Sequence, residues 1–326
     1  ISTSNERGRR NPPGCFYMTN TLELRSITKR YDEFTAVDSL SLVIPKGCVY
    51  GLLGPNGAGK TTTIRMMIGI TMPDTGEVWM FGERFTMAHL ARVGYLPEER
   101  GLYKRMKVGE LISFFAQLKG VPPAEAERRV ASWLDRLDLQ KWAKSKAEEL
   151  SKGMQQKVQF IASVLHDPEF IIMDEFSSGL DPANARDLEI ILLELRKAGK
   201  TILFSTHRMD QVEKLCDEIT LVNHGRAVLQ GDLRKVKASY GKSAVEIDYD
   251  GDAQFLERKD LVQSFHNMGN HVELKLAPGA DPQQLLRLAT DSARINKFEL
   301  VEPSLEEIFI DVVNGSKNDV AGGSHA

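Results

Sequence analysis

The chain has 326 residues, of which 42% are hydrophobic and 27% charged, with a formal net charge of −3. This length accommodates one large domain and a smaller one, with enough apolar residues to bury a core. Because acidic and basic residues nearly balance, there is no global electrostatic case for nucleic-acid binding. The three cysteines have no Cys-x-x-Cys spacing, which favours free thiols in a reducing compartment over a structural zinc site. No run of about 18 apolar residues exists, so a partner must supply any membrane-spanning part.

The first predicted segment is an extension at the amino end. Residues 1–17 are polar, contain three arginines and a Pro-Pro pair, and have no apolar core of the signal-peptide kind. We expect them to be a disordered extension before a natural start at Met18. At the other end, residues 316–326 are mostly polar and glycine-containing, which predicts a flexible tail.

The next elements are strands. From Leu22 to Ile44 apolar and polar residues alternate in places, which predicts an antiparallel strand pair. Pro45-Lys46-Gly47 forms a turn, and Val49 to Leu53 is a plausible buried strand. A further turn at Pro73 to Gly76 precedes a strand-like run from Glu77 to Phe81.

The residues after Leu53 fit the phosphate-binding loop pattern G-x-x-x-x-G-K-[ST]. They are Gly54, Pro55, Asn56, Gly57, Ala58, Gly59, Lys60 and Thr61. The glycines allow consecutive backbone N–H groups to converge on a phosphate, Lys60 can reach the outer phosphates, and the Thr61 hydroxyl can bind Mg²⁺. From Thr62 onward the pattern is helical, so a helix N-terminus faces the loop. The loop therefore predicts a nucleoside triphosphate site, without saying how the energy is used.

A helical insertion is predicted over about residues 100–160. Between Val108 and Leu139 the apolar period is helical, and Pro122-Pro123 marks a helix start. The apolar stripe is typical of a core-facing helix, and the outer surface of the insertion is where a partner could bind.

Two later strands carry candidate catalytic residues. Asp174 and Glu175 end the apolar run from Phe170, and we expect Asp174 to hold Mg²⁺ through water while Glu175 orients or deprotonates the attacking water. Adjacent carboxylates also occur by chance on surfaces. His207 follows the strand from Thr201 to Ser205, where the carboxyl ends of strands face the ligand crevice. Its imidazole can donate a hydrogen bond to the γ-phosphate, although an isolated histidine there is more often a packing or surface residue.

The alternation of strands and helices predicts an α/β fold with a mainly parallel sheet covered by helices. After Tyr240 the character changes, because residues 245–249, 272–276 and 298–301 alternate and residues 283–288 and 305–313 are helical in pattern. We interpret residues 243–315 as a small α+β accessory domain.

From Leu22 to about Leu233 the chain resembles the nucleotide-binding subunit of ABC transporters, with several motifs in the family's order. The resemblance implies that Tyr31 stacks on adenine, that Gly54 to Thr61 is the Walker A loop, and that Phe170 to Glu175 is Walker B with its catalytic glutamate. Ser178-Gly179-Leu180-Asp181 matches the D-loop, which crosses the dimer interface, and His207 matches the switch histidine.

The family's signature, usually Leu-Ser-Gly-Gly-Gln, is Leu150-Ser151-Lys152-Gly153-Met154 here. Ser151 and Gly153 keep the hydroxyl, backbone N–H groups and helix N-terminus that the family presents to the γ-phosphate on the other subunit. Glu98 stands where the Q-loop glutamine is usual, and its carboxylate can still reach Mg²⁺ or its water. With Phe176 in place of the usual proline and the extension from Leu300 to Phe309, these departures resemble the ATPase subunit of ABC-2-type exporters.

The resemblance implies a P-loop NTPase core of the ABC ATPase kind over residues 18–240, with an antiparallel β subdomain, the helical insertion and the C-terminal α+β domain. It implies ATP and Mg²⁺ as ligands, a homodimer around two ATP molecules, and a separate ABC-2-type membrane permease. The subunit is then peripheral on the cytoplasmic face of the membrane, and no nucleic acid is expected. Two alternatives stay open: a soluble ABC-type ATPase acting on nucleic acid or ribosomes, and a phosphate-loop kinase or GTPase.

Overall fold

The computed structural model describes residues 20–99, 101–177, 180–240 and 244–312. The strands, in chain order, are β1 Asn20–Tyr31, β2 Phe34–Pro45, β3 Val49–Leu53, β4 Thr75–Met80, β5 Glu83–Arg84, β6 Val93–Leu96, β7 Phe170–Asp174, β8 Thr201–Thr206, β9 Glu218–Asn223, β10 Arg226–Asp232, β11 Ala244–Gly251, β12 Val262–Asn267, β13 His271–Leu276 and β14 Ala293–Val301. The helices are α1 Lys60–Met67, α2 Val108–Leu118, α3 Pro123–Arg136, α4 Lys152–Val164, α5 Pro182–Lys197, α6 Met209–Leu215, α7 Leu233–Ser239, α8 Pro282–Ser292 and α9, residues 305–312.

The central sheet has the strand order β10-β9-β3-β8-β7-β6, and its pairs are parallel except for β9 with β10. Strands β3 and β7 are buried along their whole length because other layers cover both faces of the sheet. Their carboxyl ends and that of β8 lie side by side, so the residues that follow these strands meet at one edge. The predicted mainly parallel sheet is confirmed.

A second sheet, with the order β2-β1-β4-β5, covers one face of the central sheet. Its β1 and β2 are antiparallel, as predicted, and their buried residues form one core with Tyr50, Leu52 and Ile172 of the central sheet. This packing places the β1–β2 hairpin beside the loop that follows β3, since Ala36 and Val37 contact Gly59 and Gly225.

Helices α2, α3 and α4 form the predicted helical insertion on the other face. The stripe of Val130, Leu134 and Leu137 is buried, and Trp133 packs against the same core, as the 3.6-residue period predicted. Pro123 occupies the first turn of α3. Within the described ranges, no helix is both long and apolar enough to cross a membrane.

The C-terminal part forms a separate antiparallel sheet, with the order β12-β13-β11-β14, and its own apolar core under α8. The chain then returns to the first domain, which contains the central sheet, because Leu305 and Phe309 of α9 pack into the core of that domain. The Leu305 N–H donates to Glu213 Oε1 at 2.7 Å, which ties α9 to α6.

Some element boundaries differ from expectation. The sequence predicts a helix from Leu188 to Ala198, but helix α5 begins at Pro182, because Asp181 caps it by accepting from the N–H groups of Ala183 and Asn184. Strand β12 was not predicted, since only its first residue is buried and its sequence does not alternate. The predicted extension 1–17 and tail 316–326 lie outside the described residues, and the domain boundaries remain predictions.

Candidate functional site

The loop between β3 and α1 has a backbone that only glycine tolerates at two places. Gly54 has φ +149° and an added Cβ would lie 2.2 Å from the Val222 carbonyl oxygen. Gly59 has φ +105° and its Cβ would lie 2.4 Å from the Ala36 carbonyl oxygen. These contacts pin the loop between β9 and the β1–β2 hairpin. Gly57, in contrast, faces open space, where a ligand can approach the backbone.

Helix α1 starts at Lys60 with no side-chain cap and no acidic residue in its first turn. Its first N–H groups have no intrahelical acceptor and carry the positive end of the helix dipole, so they attract an anion. The Lys60 side chain is 7% exposed and donates to the Gly54 and Pro55 carbonyl oxygens at 2.7 and 3.2 Å. The loop thus curls around a buried ammonium group.

The acidic pair lies at the end of β7, next to this lysine. Asp174 is 1% exposed and Glu175 is 8% exposed. Ser205 of β8 donates a hydrogen bond from Oγ to Asp174 Oδ1, while Asp174 Oδ2 is buried with no hydrogen-bond partner among the described residues. Glu175 has φ +49°, a left-handed conformation that is uncommon for a non-glycine residue and concentrates at functional sites.

Glu175 connects the loop to the histidine. Its Oε1 lies 3.6 Å from Lys60 Nζ, and its carboxylate lies 3.1 Å from His207 Nδ1. The His207 ring is half exposed, so it can reach a ligand entering from solvent. The structure therefore brings together Lys60, Glu175 and His207, which lie on three different segments of the chain.

A cavity of about 440 Å³ opens above the loop. Its lining residues are Phe34, Ala36, Asn56, Gly57, Ala58, Gly59, Lys60, Thr61, Thr62, Glu98 and Glu175. The aromatic residue among them is Phe34, which is 63% exposed. Tyr31 is its cross-strand neighbour in the hairpin but is not part of this lining, and the Lys29 ammonium lies 5.6 Å from its ring centroid. The role of Tyr31 in stacking remains a prediction.

Two of the three residues expected to hold Mg²⁺ line this cavity, and the third, Asp174, directly precedes Glu175, which also lines it. Thr61 and Glu98 line it, and the unpartnered Asp174 Oδ2 is an orphaned buried acceptor of the kind that a cation satisfies. All three offer oxygen atoms, which Mg²⁺ prefers. The residues present therefore fit the ion.

The signature residues stand apart from the cavity lining. Ser151 is exposed and caps α4, accepting from the Met154 N–H at 3.3 Å, and Gly153 follows in the first turn. Asp181 caps α5, and the backbone N–H of Asn184 is the main reason that its pKa is lowered. Ser178 and Gly179 of the predicted D-loop lie outside the described residues. Within one chain, the structure does not bring Ser151, Gly153 or Asp181 to the loop.

Two residues of the site were missed from the sequence. Phe34 could have been found from the two-residue alternation of a strand. It lies two positions before Ala36 on β2, so both share one face of the strand, and Ala36 lies against the loop. Ser205 was noted only as the last residue of a predicted strand. Its contact with Asp174 depends on the pairing of β7 with β8, for which the sequence carries no local signal.

A glycine-rich loop, a buried lysine and a buried carboxylate pair at adjacent strand ends define a phosphate-loop nucleoside triphosphatase. A family model described as ABC transporter matches residues 37–178, and one described as the C-terminal domain of DrrA1-3-like ATP-binding proteins matches residues 231–313. The chain is 42% identical over 292 residues to the uncharacterized ABC transporter ATP-binding protein YhaQ of Bacillus subtilis (strain 168), which covers 90% of this chain and 98% of the relative.

It is also 34% identical over 318 residues to the Nod factor export ATP-binding protein I of Ralstonia nicotianae, covering 94% of this chain and 98% of the relative. A solved structure of the ATP binding subunit of an ABC transporter matches with a TM-score of 0.63 at 31% identity, over 68% of this chain and 93% of that chain. The chain belongs to the ABC transporter ATP-binding proteins. It is an ATP-binding subunit with ATPase activity. The predicted fold class is confirmed by the solved structure of this family. Neither the kinase nor the nucleic-acid alternative is favoured.

Proposed function

We propose that two copies of this chain close around two ATP molecules and Mg²⁺ and drive export through a separate ABC-2-type membrane permease. One observation carries the dimer: the Ser151 end of α4 is exposed and stands outside the cavity that holds Lys60 and Glu175. Helix α4 has no acidic residue in its first turn, so nothing there balances the positive end of its dipole except the Ser151 cap. A second copy placing its α4 over the first copy's cavity completes both sites.

In this proposal each residue has a physical task. The loop N–H groups and Lys60 bind the phosphates, and the Ser151 hydroxyl and α4 N-terminus of the other copy bind the γ-phosphate. Glu175 accepts the proton of the attacking water, and His207 donates to the γ-phosphate from its place beside Glu175. Thr61, Asp174 and Glu98 would hold Mg²⁺, which would supply positive charge to neutralise the phosphates. Loss of the γ-phosphate removes the contacts that keep the copies closed.

A second cavity supports the permease. It has a volume of about 380 Å³ and lies between the central sheet and the helical insertion, close to Pro97 and Glu98 of the Q-loop position. Its lining includes the 61%-exposed Ile70 together with Leu90, Leu102 and Phe115. Gln159 Oε1 and His166 Nδ1 are buried there without partners among the described residues. An apolar groove with spare hydrogen-bond acceptors fits a short amphipathic segment of a partner.

Export, as the direction of transport, rests on the relative named for Nod factor export. The location follows from the partner, because a subunit that couples ATP to a permease is peripheral on the cytoplasmic face of the membrane. The transported substrate is set by the permease.

The permease proposal is tested by purifying the tagged chain from solubilised membranes of its own host. We expect a polytopic membrane protein to co-purify, and Ile70→Glu to remove it. Val43→Glu is the matched control, since Val43 is also an exposed apolar residue but lies on β2 away from the groove. Both variants should keep the ATPase activity of the isolated chain. Recovery with ribosomes or nucleic acid instead of a membrane protein contradicts the proposal.

A further inference from the structure

Ser205 lies where it can control the geometry of both acidic residues. It is fully buried, and its Cα is paired with that of Asp174 across the parallel strands β7 and β8. Its hydroxyl donates to Asp174 Oδ1 and accepts from the Glu175 N–H at 3.1 Å. The same N–H also lies 3.2 Å from the Ser205 carbonyl oxygen. One side chain is thus bonded to the carboxylate of Asp174 and to the backbone of Glu175.

These bonds have a definite consequence for Asp174. A free carboxylate can rotate and present either oxygen, but a hydrogen bond to Oδ1 fixes its plane. Oδ2 is then left buried without a partner among the residues described, and a buried charged oxygen in that state is costly unless a cation approaches it. The hydroxyl therefore leaves one acceptor preset for a metal ion.

The bond to Glu175 acts on the same edge of the sheet. Glu175 has φ +49°, and in this backbone conformation its side chain reaches Lys60 and His207. The two acceptors of Ser205, its hydroxyl and its carbonyl, hold the Glu175 N–H in place.

We propose that Ser205 is a positioning residue for Mg²⁺: its hydroxyl orients Asp174 so that Oδ2 faces the ion, and it steadies the backbone of Glu175. The inference rests on the proposed function, because the ion enters there. Ser205 is fully buried and is not among the residues that line the cavity, so we expect it to affect the affinity for Mg²⁺ and not the affinity for the nucleotide itself. Removal of such an outer partner lowers metal affinity by about 10- to 100-fold.

The test is calorimetric titration of the purified chain with ATP, first in EDTA and then at increasing Mg²⁺ concentration. We expect Ser205→Ala to raise the Mg²⁺ concentration for half-maximal enhancement of ATP binding by about tenfold or more. Binding of ATP in EDTA should stay at the wild-type level. Ser205→Thr, which keeps the hydroxyl, should restore the wild-type Mg²⁺ dependence.

Thr220→Val is the matched control. Thr220 is also fully buried in the central sheet, and its substitution by valine removes a hydroxyl hydrogen bond, in this case with Tyr50. It lies on β9, away from Asp174. We expect its Mg²⁺ dependence to be that of the wild type. If the alanine variant does not fold, Ser205→Cys, a near-isosteric weak donor, provides the same comparison.

A Mg²⁺ dependence of Ser205→Ala equal to that of Thr220→Val overturns the inference and leaves the proposed function standing. If Ser205→Ala weakens ATP binding in EDTA as much as it does in Mg²⁺, the inference is also overturned, because that result indicates a general structural role. If the wild-type chain binds ATP without any enhancement by Mg²⁺, the ion in the proposed function fails as well.

Discussion

Lys60 and Glu175 carry opposite charges, are almost fully buried, and lie 3.6 Å apart. Burying either charge alone is energetically costly, so the two buried charges stabilise each other. The distance between Lys60 Nζ and Glu175 Oε1 exceeds that of a good hydrogen bond. The Lys60 ammonium group instead donates hydrogen bonds to the loop carbonyl oxygens. We infer that the ammonium is held ready for phosphate without being locked to the carboxylate.

His166, in the groove between sheet and insertion, gives a prediction on pH. Burial, reinforced by the nearby Lys119, lowers its pKa to about 4, while Nε2 bonds to the Val93 carbonyl oxygen at 3.1 Å. The unfolded chain therefore binds a proton more readily than the folded chain between about pH 6.5 and 4, and stability falls as the pH falls through this window. We expect wild type to lose about 2 kcal/mol more than His166→Gln on going from pH 7 to 4, a value reduced for solvent screening of a partly exposed ring.

The measurement is urea denaturation of both proteins across that pH range. His224→Gln serves as the control, because it removes the imidazole of an exposed histidine outside the groove. Parallel profiles for wild type and His166→Gln would show that the groove histidine does not titrate in this way.

At the level of single residues, the sequence predicted the positions whose chemistry is written in a local pattern. Gly54 to Thr61, Asp174, Glu175 and His207 are of this kind, and the structure places Lys60, Glu175 and His207 within hydrogen-bonding or ion-pair distance. Ser205 and Phe34 have no such pattern. Their contacts depend on which strands lie side by side and on which face of β2 meets the loop, and neither follows from residues near them in sequence.

Among the elements, α9 makes the connection between the two domains. Ser304 and Glu307 form a capping box at its start, with Ser304 accepting from the Glu307 N–H and Glu307 accepting from the Ser304 N–H. Leu305 is 1% exposed inside the core of the first domain, and Glu213 of α6, which receives the Leu305 N–H, also binds Lys237 of α7. Because α6 begins two residues after His207, α9 is attached to the helix that follows this histidine in the chain.

We therefore predict that Leu305→Ala destabilises the whole chain by about 3 kcal/mol, through lost burial and the cavity it leaves. Ile310→Ala on the same helix is the control, because Ile310 is 49% exposed and should cost about 0.5 kcal/mol or less. Chemical denaturation followed by tryptophan fluorescence measures both. Equal effects of the two substitutions would mean that α9 is not docked on the first domain in solution.

The elements show where sequence patterns stop being informative. Helix α5 was predicted late because its first turn is polar, although Asp181 followed by Pro182 is a capping signal that could have located the start. Strand β12 has no alternation to detect, since five of its six residues are exposed and pairing with β13 alone makes it a strand.

On the scale of the whole molecule, the fold class could be predicted because strand–helix alternation and the phosphate loop constrain the topology strongly. The assembly could not be predicted in the same way. Ser151 and Gly153 stand outside the cavity of their own chain, and in the proposed dimer they bind the ATP of the second copy. The central claim is accordingly that one chain contains two halves of two different sites.

The most direct test of this claim is the molar mass of the Glu175→Gln variant in solution. Light scattering measures it first with ATP and Mg²⁺ and then with ADP. We predict a dimer with ATP and a monomer with ADP, because the variant binds ATP and cannot hydrolyse it. Adding Lys152→Glu should abolish the dimer, because it places a negative charge at the α4 N-terminus, which in the proposed dimer faces the γ-phosphate bound by the other copy. Lys141→Glu is the control: it makes the same charge change at an exposed lysine elsewhere and should leave the dimer intact. A Glu175→Gln chain that stays monomeric in saturating ATP, or that turns ATP over at the wild-type rate, would contradict the claim.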